Sequence, residues 1–285
     1  MTPAELAAAR TLVSLALAED LGDAGDVTSR ATIPADAVGR AAFVARTPGV
    51  VAGLPLVALV AAEVDPTLAV ELLAADGSAV VRGDRLATIG GPLRGLLAAE
   101  RTALNFVQRL SGVATLTRQY VDAVAGTPAQ VLDTRKTTPG WRLLEKYAVR
   151  CGGGTNHRVG LYDGVLVKDN HLAGLGTDAI GRAVRSAREL APGLAVEVEV
   201  DTLEQLDEAL RAGADIVLLD NLPADALRRA VGRRDAVRPG TKLEASGGVT
   251  LATIRGLAET GVDRISVGAL THSAPALDVG LDYFE

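Results

Sequence analysis

The stretch VEVEVDTLEQLDEALRAGADIVLLD, residues 196–220, decides the fold. Its valine-rich start predicts a short buried strand. The next segment is typical of a helix that begins with a capping box, Asp201 with Glu204, and ends at Gly213. The run IVLL then predicts a second strand. A strand, a helix and another strand in so short a segment indicate one unit of a parallel sheet.

The same alternation of strands and helices continues on both sides of this stretch. The six predicted strands are Val131-Leu132, Val165–Val167, Val196–Val200, Ile216–Leu219, Lys242–Ala245 and Arg264–Val267. Each of them ends in polar or glycine residues. Six or more such units indicate an α/β barrel, and the active sites of these barrels lie at the carboxyl ends of the strands.

The first part of the chain follows a different pattern, in which short apolar runs alternate with turns. Asp76-Gly77 and Gly83-Asp84 are turn or hairpin signals, so we expect helix plus a small, mostly antiparallel sheet. Residues 100–125 then have helical spacing, which the pair Ser111-Gly112 would interrupt.

We therefore place a domain boundary near residue 112. Residues 1–112 are expected to form the first domain and residues 113–270 the barrel, with residues 271–285 packing back on the first domain.

Composition excludes several classes of protein. The chain of 285 residues has a formal net charge of -6 and only 3% aromatic residues, so it lacks the positive surface and the stacking platforms of nucleic-acid binding. The longest apolar run, residues 50–62, is interrupted by Pro55 and is too short to span a membrane. The single cysteine, Cys151, fits a reducing cytoplasm.

Positive charge is concentrated in one segment, from Val131 to His171. This segment holds seven Lys or Arg and four Asp or Glu, a balance of +3 in an acidic chain. Cations that converge on one site repel one another, and two charges about 4 Å apart interact by roughly 4 kcal/mol at an intermediate dielectric. The cluster therefore favours a multiply charged anionic ligand.

Two further features lie at the ends of later strands. The segments LEASGGV and ISVGAL place glycine-lined backbone at the last two strand ends, where barrels commonly hold a phosphate. Glu199 and Asp220 end two successive strands and could accept hydrogen bonds from sugar hydroxyls or hold Mg²⁺. Salt bridges to Lys136 or Lys168 are the alternative role for these carboxylates.

In these residues the chain resembles the quinolinate phosphoribosyltransferase family. The resembling segments are AEDLGDAGDVTS, ERTALNFVQRLSGVAT, DTRKTTPGWRLLEKYAVRCGGGTNHRVGLYDGVLVKDNH, VEVEVDTLEQL, VLLDN, EASGGV and ISVGAL. The resemblance implies an N-terminal α/β sandwich, mostly antiparallel sheet plus helices, followed by an incomplete TIM-like α/β barrel. It also implies a homodimer or a hexamer built as a trimer of dimers.

The resemblance further implies the reaction and the residues that carry it. Quinolinate and phosphoribosyl pyrophosphate would react, with Mg²⁺, to nicotinate mononucleotide, pyrophosphate and CO₂, a step of de novo NAD biosynthesis. The implied quinolinate-binding residues are Arg101, reaching across the dimer interface, and Thr134, Arg135, His157, Arg158 and Lys168. The implied phosphoribosyl pyrophosphate-binding residues are Lys136, Glu199, Asp220, Ser246, Gly247, Gly248 and Gly268. Of these, Lys136, Glu199 and Asp220 would be catalytic, and the two carboxylates would hold the Mg²⁺.

Two alternatives stay open at this point. A paralogous phosphoribosyltransferase of the same fold could act on another acid, although a monocarboxylate site should not need the whole set of cations. A non-catalytic phosphate-binding barrel would not need Glu199 and Asp220 facing those cations. The stretch LAGLGTDAIG, residues 172–181, is the least diagnostic and predicts only a surface connection.

Overall fold

The computed structural model describes residues 1–173, 176 and 178–284. Gly174, Leu175 and Thr177, in the predicted surface connection, and Glu285 therefore lie outside the described residues. In the part of the chain that the structure describes, no helix is long and apolar enough to cross a membrane.

The chain forms two compact units that do not follow a single cut in the sequence. The first unit contains Met1–Arg118, Thr137–Gly153 and the segment that begins at Leu270. The second contains Gln119–Lys136 and Gly154–Ala269. The segment Thr137–Gly153 thus belongs by its contacts to the first unit, although a boundary near residue 112 assigns it to the barrel.

The strands are β1 Val38–Ala45, β2 Gly49–Val50, β3 Ala69–Leu72, β4 Ala79–Val80, β5 Arg85–Pro92, β6 Gln130–Leu132, β7 Val165–Val167, β8 Val196–Val200, β9 Ile216–Asp220, β10 Lys242–Ser246, β11 Arg264–Ser266 and β12 Val279–Phe284. The helices are α1 Pro3–Leu21, α2 Val27–Thr32, α3 Leu54–Val64, α4 Leu93–Ala123, α5 Arg142–Cys151, α6 Asp169–Leu172, α7 Ala179–Leu190, α8 Leu203–Ala212, α9 Ala224–Val237, α10 Leu251–Ala258 and α11 Ala269–His272.

The first unit is built on an antiparallel sheet of four strands in the order β12-β1-β5-β3. The C-terminal strand β12 pairs with β1, with Phe43 opposite Leu281. Phe43 is fully buried and belongs to the apolar core of this unit. A second, two-stranded sheet joins β2 to β4. The predicted antiparallel sheet with helices is confirmed.

Helix α4 is continuous through Ser111 and Gly112, so the predicted interruption is wrong. The Ser111 hydroxyl bonds to the Ala52 backbone, accepting from its N–H at 2.9 Å. A Cβ on Gly112 would lie 2.0 Å from the Pro275 carbonyl oxygen. Both small residues therefore serve close packing against other segments of the first unit, and neither ends the helix.

The second unit contains a parallel sheet of six strands in the order β6-β11-β10-β9-β8-β7. Every strand predicted from the alternating pattern is present. Strands β6 and β7 form the two edges of the sheet, as an incomplete barrel requires. All carboxyl ends of the strands meet at one edge, which is where this topology puts an active site.

The stretch at residues 196–220 folds as a strand, a helix and a strand, with one correction at the start of α8. Its cap is Thr202, whose hydroxyl accepts from the Gln205 N–H at 3.2 Å while the Gln205 side chain accepts from the Thr202 N–H at 3.3 Å. The capping pair therefore lies one residue beyond the predicted Asp201 and Glu204. Gly213 ends the helix with φ at 85°, which glycine adopts readily.

Candidate active site

A cavity of about 480 Å³ lies at the carboxyl ends of the strands in the second unit. Its lining includes all but two of the predicted site residues. The predicted site residues that line the cavity are Thr134, Arg135, Lys136, His157, Arg158, Lys168, Glu199, Asp220, Ser246, Gly247 and Gly248. The sequence therefore predicted which strand ends would meet, because parallel strands bring their carboxyl ends together.

Two predicted residues, Arg101 and Gly268, are not among those lining this cavity. Arg101 lies on α4, in the first unit, where its exposed side chain lines a separate cavity of about 240 Å³ that also contains Trp141. Gly268 follows β11 two positions after Ser266, which does line the cavity. The binding roles of Arg101 and Gly268 stay predictions.

Four cations face the cavity: Arg135, Lys136, Arg158 and Lys168. Burial, together with the nearby positive charge of Arg135, lowers the pKa of Arg158. The Arg158 Nη1 donates to the Gly164 carbonyl at 3.1 Å, which fixes one edge of the guanidinium. Because two like charges are held close together, an anion bound between them would relieve their repulsion.

Asp133 joins two of the three loops that supply these cations, the loop with Arg135 and Lys136 and the loop with Arg158. It is fully buried at the end of β6. One carboxylate oxygen accepts from the His157 N–H at 2.8 Å and the other from the Asn156 side-chain amide at 2.6 Å. In the same loop, the Thr134 hydroxyl accepts from the Lys136 N–H at 3.0 Å. The sequence signal for Asp133 is its place directly after a buried strand, before three polar residues.

The carboxylates of the cavity are already engaged with neighbouring residues. The Lys168 ammonium forms an ion pair with Glu199, as one of the predicted alternatives requires. Asp220 accepts from the Asn221 side-chain amide at 2.7 Å. Asn221 has φ at 54°, a left-handed conformation that Asn tolerates better than most residues. Asn221 was not a predicted site residue, although it directly follows Asp220 at a strand end.

A bare backbone surface follows β10. Gly247 has φ at +97° and Gly248 at +57°. A Cβ on Gly247 would lie 2.1 Å from the Asn221 side-chain oxygen, whereas a Cβ on Gly248 would meet nothing within 4 Å. Helix α10 begins three residues later at Leu251. Exposed backbone N–H groups before a helix are suited to binding a phosphate.

A second group of charged residues, which we call the floor, consists of His157, Glu197, Glu244 and Arg264, and two of them, His157 and Glu244, also line the cavity. The His157 Nε2 lies 3.0 Å from Glu197 Oε2 and 3.5 Å from Glu244 Oε1. The Arg264 Nε lies 3.1 Å from Glu244 Oε2. Burial and the neighbouring charge of Glu197 raise the pKa of Glu244 to about 7.

Sequence reasoning placed only His157 in the site and missed the other three floor residues. A signal did exist for Glu197, because it alternates with buried valines on β8 in phase with Glu199. Charged residues at such positions inside a short buried strand need partners, and the pattern shows that much.

The fold and the cavity together define a class of protein. A parallel sheet whose strand ends combine four cations, carboxylates and glycine-lined backbone is the arrangement of an enzyme that holds anionic, phosphate-bearing substrates.

Comparison with known proteins identifies the family within that class. Residues 26–111 match the N-terminal domain of quinolinate phosphoribosyl transferase, and residues 113–282 match its C-terminal domain. The chain therefore belongs to the quinolinate phosphoribosyl transferase family.

Individual relatives match over 95% or more of the chain. It is 48% identical over 284 residues to the nicotinate-nucleotide pyrophosphorylase (carboxylating) of Mycobacterium leprae, covering 99% of each protein. It is 42% identical to quinolinate phosphoribosyltransferase (decarboxylating) 2 of Nicotiana glauca, covering 95% of this chain and 81% of that protein. The solved structure of the Francisella tularensis nicotinate-nucleotide pyrophosphorylase has a TM-score of 0.91 at 39% identity, covering 98% and 96%.

Proposed function

We propose that this chain transfers the phosphoribosyl group of phosphoribosyl pyrophosphate to quinolinate, releasing pyrophosphate and CO₂ and forming nicotinate mononucleotide for de novo NAD biosynthesis. The observation that carries the proposal is one cavity whose lining combines Arg135 and Arg158 with the glycine backbone of Gly247 and Gly248. Family membership supplies the reaction, and the cavity supplies the charges that its two substrates require.

Arg135, Arg158 and Lys168 bind the two adjacent carboxylates of quinolinate in this proposal. The support is electrostatic, since Arg135 and Arg158 repel each other and a dianion would relieve that repulsion. Guanidinium groups also bind carboxylates through two parallel hydrogen bonds, which orients the pyridine ring. Thr134 directly precedes Arg135 and lines the cavity, and its hydroxyl is a proposed contact of quinolinate.

The 5′-phosphate of phosphoribosyl pyrophosphate binds at Ser246, Gly247, Gly248 and Gly268 in this proposal. Gly248 leaves open space where a side chain would otherwise stand. Lys136 is assigned to the pyrophosphate, and Glu199 with Asp220 to the ribose.

Magnesium is part of the same proposal, and the donor set fits it. Mg²⁺ is bound in proteins by one or two carboxylates together with water and substrate phosphate oxygens. Glu199 and Asp220 both line the cavity and provide such carboxylate oxygens. When bound, the ion would neutralise charge on the pyrophosphate. Lys168 pairs with Glu199 and lines the same cavity, within which it is the proposed ammonium contact of a substrate carboxylate.

The chemistry requires positioning more than it requires a protein nucleophile. The pyridine nitrogen attacks C1′ of the ribose while the bond from C1′ to pyrophosphate breaks. The nitrogen becomes cationic, which stabilises the carbanion left when the adjacent carboxylate departs as CO₂, and a proton from water completes the product. Glu199 and Asp220 steady positive charge on the ribose, and Lys136 steadies the leaving group.

A homodimer or a hexamer of dimers completes the proposal, with Arg101 reaching the cavity of the partner. Its support is that Arg101 is exposed on α4 in the first unit, whereas the other proposed substrate-binding cations belong to the second unit. Arg101→Ala mixed with Lys136→Ala should regain activity through heterodimers, because one site then receives both native residues. Absence of recovery despite demonstrated subunit exchange would refute the shared site. We assign the enzyme to the cytoplasm, which a chain with a single cysteine suits.

The deciding experiment supplies purified protein with quinolinate, phosphoribosyl pyrophosphate and Mg²⁺. CO₂ and pyrophosphate should appear in equal amounts. Pyrophosphate release with nicotinic acid but not with quinolinate would show a paralogous activity instead. Binding of phosphoribosyl pyrophosphate without consumption would show a non-catalytic barrel.

A further inference from the structure

His157 is held by the protein at three points within the second unit. Its backbone N–H donates to Asp133 at 2.8 Å. Its Nδ1 accepts the backbone N–H of Arg158 at 2.8 Å, and its Nε2 lies 3.0 Å from Glu197 Oε2. The side chain is only 11% exposed. Both ring nitrogens are therefore used inside the protein.

The contact at Nδ1 fixes the position of the ring proton. A nitrogen that accepts an N–H carries a lone pair and no hydrogen, so the proton of the neutral ring is on Nε2 and is donated to Glu197. Burial lowers the pKa of His157 and the Glu197 contact raises it, with a net upward direction. The Nδ1 contact opposes a second proton, because that proton would face the Arg158 N–H across 2.8 Å.

The same contact argues against a metal ion in the floor. The His157 Nε2 and oxygens of Glu197 and Glu244 lie within 4.8 Å of one another, an arrangement that a cation could use. However, Nε2 can ligate a metal only when the proton is on Nδ1. Arg264 also already provides positive charge beside Glu244. The Nε2 proton of His157 and the guanidinium of Arg264 therefore take the place that a metal ion would need in the floor.

We propose that His157 is a positioning residue, whose neutral ring ties the Arg158 backbone to Glu197, and that Glu197 serves as the acceptor that fixes this ring. Carboxylate recognition is then left to the cations, with Arg158 held in place by His157 on its N–H and by Gly164 on its guanidinium. The assignment of Arg158 to quinolinate rests on the proposed function, whereas the state of the His157 ring does not.

The ring state can be measured directly in the wild-type protein. The chain has three histidines, and His171 and His272 are exposed, so His171→Gln and His272→Gln assign the remaining signal to His157 without disturbing the core. Nitrogen-15 NMR of histidine-labelled protein at pH 7.5 should show protonated Nε2 and unprotonated Nδ1. A doubly protonated ring, or a proton on Nδ1 alone, would overturn the proposal.

Two variants of Glu197 test the positioning role. Glu197→Ala removes the acceptor and should raise the KM for quinolinate by about tenfold or more, with less effect on kcat. Glu197→Gln keeps an acceptor oxygen and removes the charge, so it should recover most of this loss. Equal loss in both variants would mean that His157 needs a charged partner and acts as a cation, which would overturn the proposal.

Two further measurements separate the inference on His157 from a metal site in the floor and from the proposed function. Metal analysis of the purified protein should find no tightly held transition metal, and one equivalent that is lost in Glu197→Ala would place a metal in the floor instead. CO₂ release by the wild-type protein tests the proposed function separately. A protein that shows the predicted ring state and releases no CO₂ would refute the function and leave the inference on His157 intact.

Discussion

Glu197 and Glu199 lie two residues apart on β8 and point to the same face of the sheet, yet they have different surroundings. Glu197 is buried, and its partner is a histidine ring. Glu199 is more open and pairs with Lys168, whose side chain is 42% exposed. A step of two residues along the strand thus separates the buried floor from the rim of the cavity, by which we mean Lys168, Glu199 and Asp220.

The difference follows from position along the strand. Charges at the rim keep contact with water, so they can change partners when a ligand arrives at little cost. Glu197 and Glu244 in the floor have lost water and depend on fixed partners, so losing one partner is costly. Rim residues and cations should therefore affect kinetics, and floor residues should affect geometry and stability.

The largest expected effect is the loss of a cation from the cavity. Arg135→Ala should lower kcat/KM for quinolinate by roughly 30-fold or more, because truncating one side of a desolvated charge contact costs about 2–5 kcal/mol. Steady-state CO₂ release measures it. The matched control is Arg228→Ala, an exposed residue paired with Asp225 on α9, which should stay within about twofold of wild type. Similar losses in both variants would contradict the assignment.

The next largest effect is expected at Glu199, the rim carboxylate that pairs with Lys168. Glu199→Gln should lower kcat by about 10- to 100-fold, since one charge-assisted contact is worth roughly 1.5–3 kcal/mol. Its melting temperature should change little, because a partly exposed ion pair contributes about 0–1 kcal/mol. A large fall in melting temperature with unchanged kcat would mean that Glu199 stabilises the fold, as the floor residues do, and does not act on the substrate. Thermal unfolding and turnover should be measured on the same preparation.

A smaller effect is expected at Gly247 and Gly248, the glycine backbone that we propose binds the 5′-phosphate. Gly247→Ala should raise the KM for phosphoribosyl pyrophosphate about tenfold and destabilise the protein by about 1–2 kcal/mol, because its positive φ disfavours a Cβ that would also meet Asn221. Gly232→Ala on α9 is the control, since a Cβ there meets nothing within 4 Å. It should be neutral or stabilising by about 0.5–1 kcal/mol. An unchanged KM in Gly247→Ala would argue against phosphate binding there.

The last expected effect is on stability, through its dependence on pH at the floor. The folded protein raises the pKa of Glu244 from 4.5 to about 7, so it binds the Glu244 proton more tightly than the unfolded chain does. The stability of the folded protein therefore falls as pH rises from 4.5 to 7. The Glu244→Gln variant has no carboxyl group to titrate at this position, so its stability should not fall for this reason.

Urea unfolding of both proteins between pH 4.5 and pH 8, at one protein concentration, measures the difference. The variant should gain about 1–3 kcal/mol in free energy of unfolding relative to wild type over this range. A difference that stays constant with pH would mean that Glu244 keeps its charge in the folded protein.

The sequence predicted the rim and the cations better than the floor, for a physical reason. Strand ends are marked by a change from buried apolar residues to polar ones, and the parallel topology then brings those ends together. The alternation of Glu197 and Glu199 shows a shared face but not how deep each residue lies, because depth depends on neighbouring strands and on the His157 loop. The continuity of α4 was missed for a similar reason, since the packing of Gly112 against Pro275 is not a local property.

The mutual repulsion of Arg135 and Arg158 also bears on how the protein should be handled. Inorganic phosphate and sulfate are small, multiply charged anions that reduce such repulsion, so they should raise the unfolding temperature by binding the folded form. The same ions would compete with substrate. A buffer chosen to keep the purified protein stable would then be an inhibitor in its assay, and kinetic constants would need to be compared at one fixed anion composition.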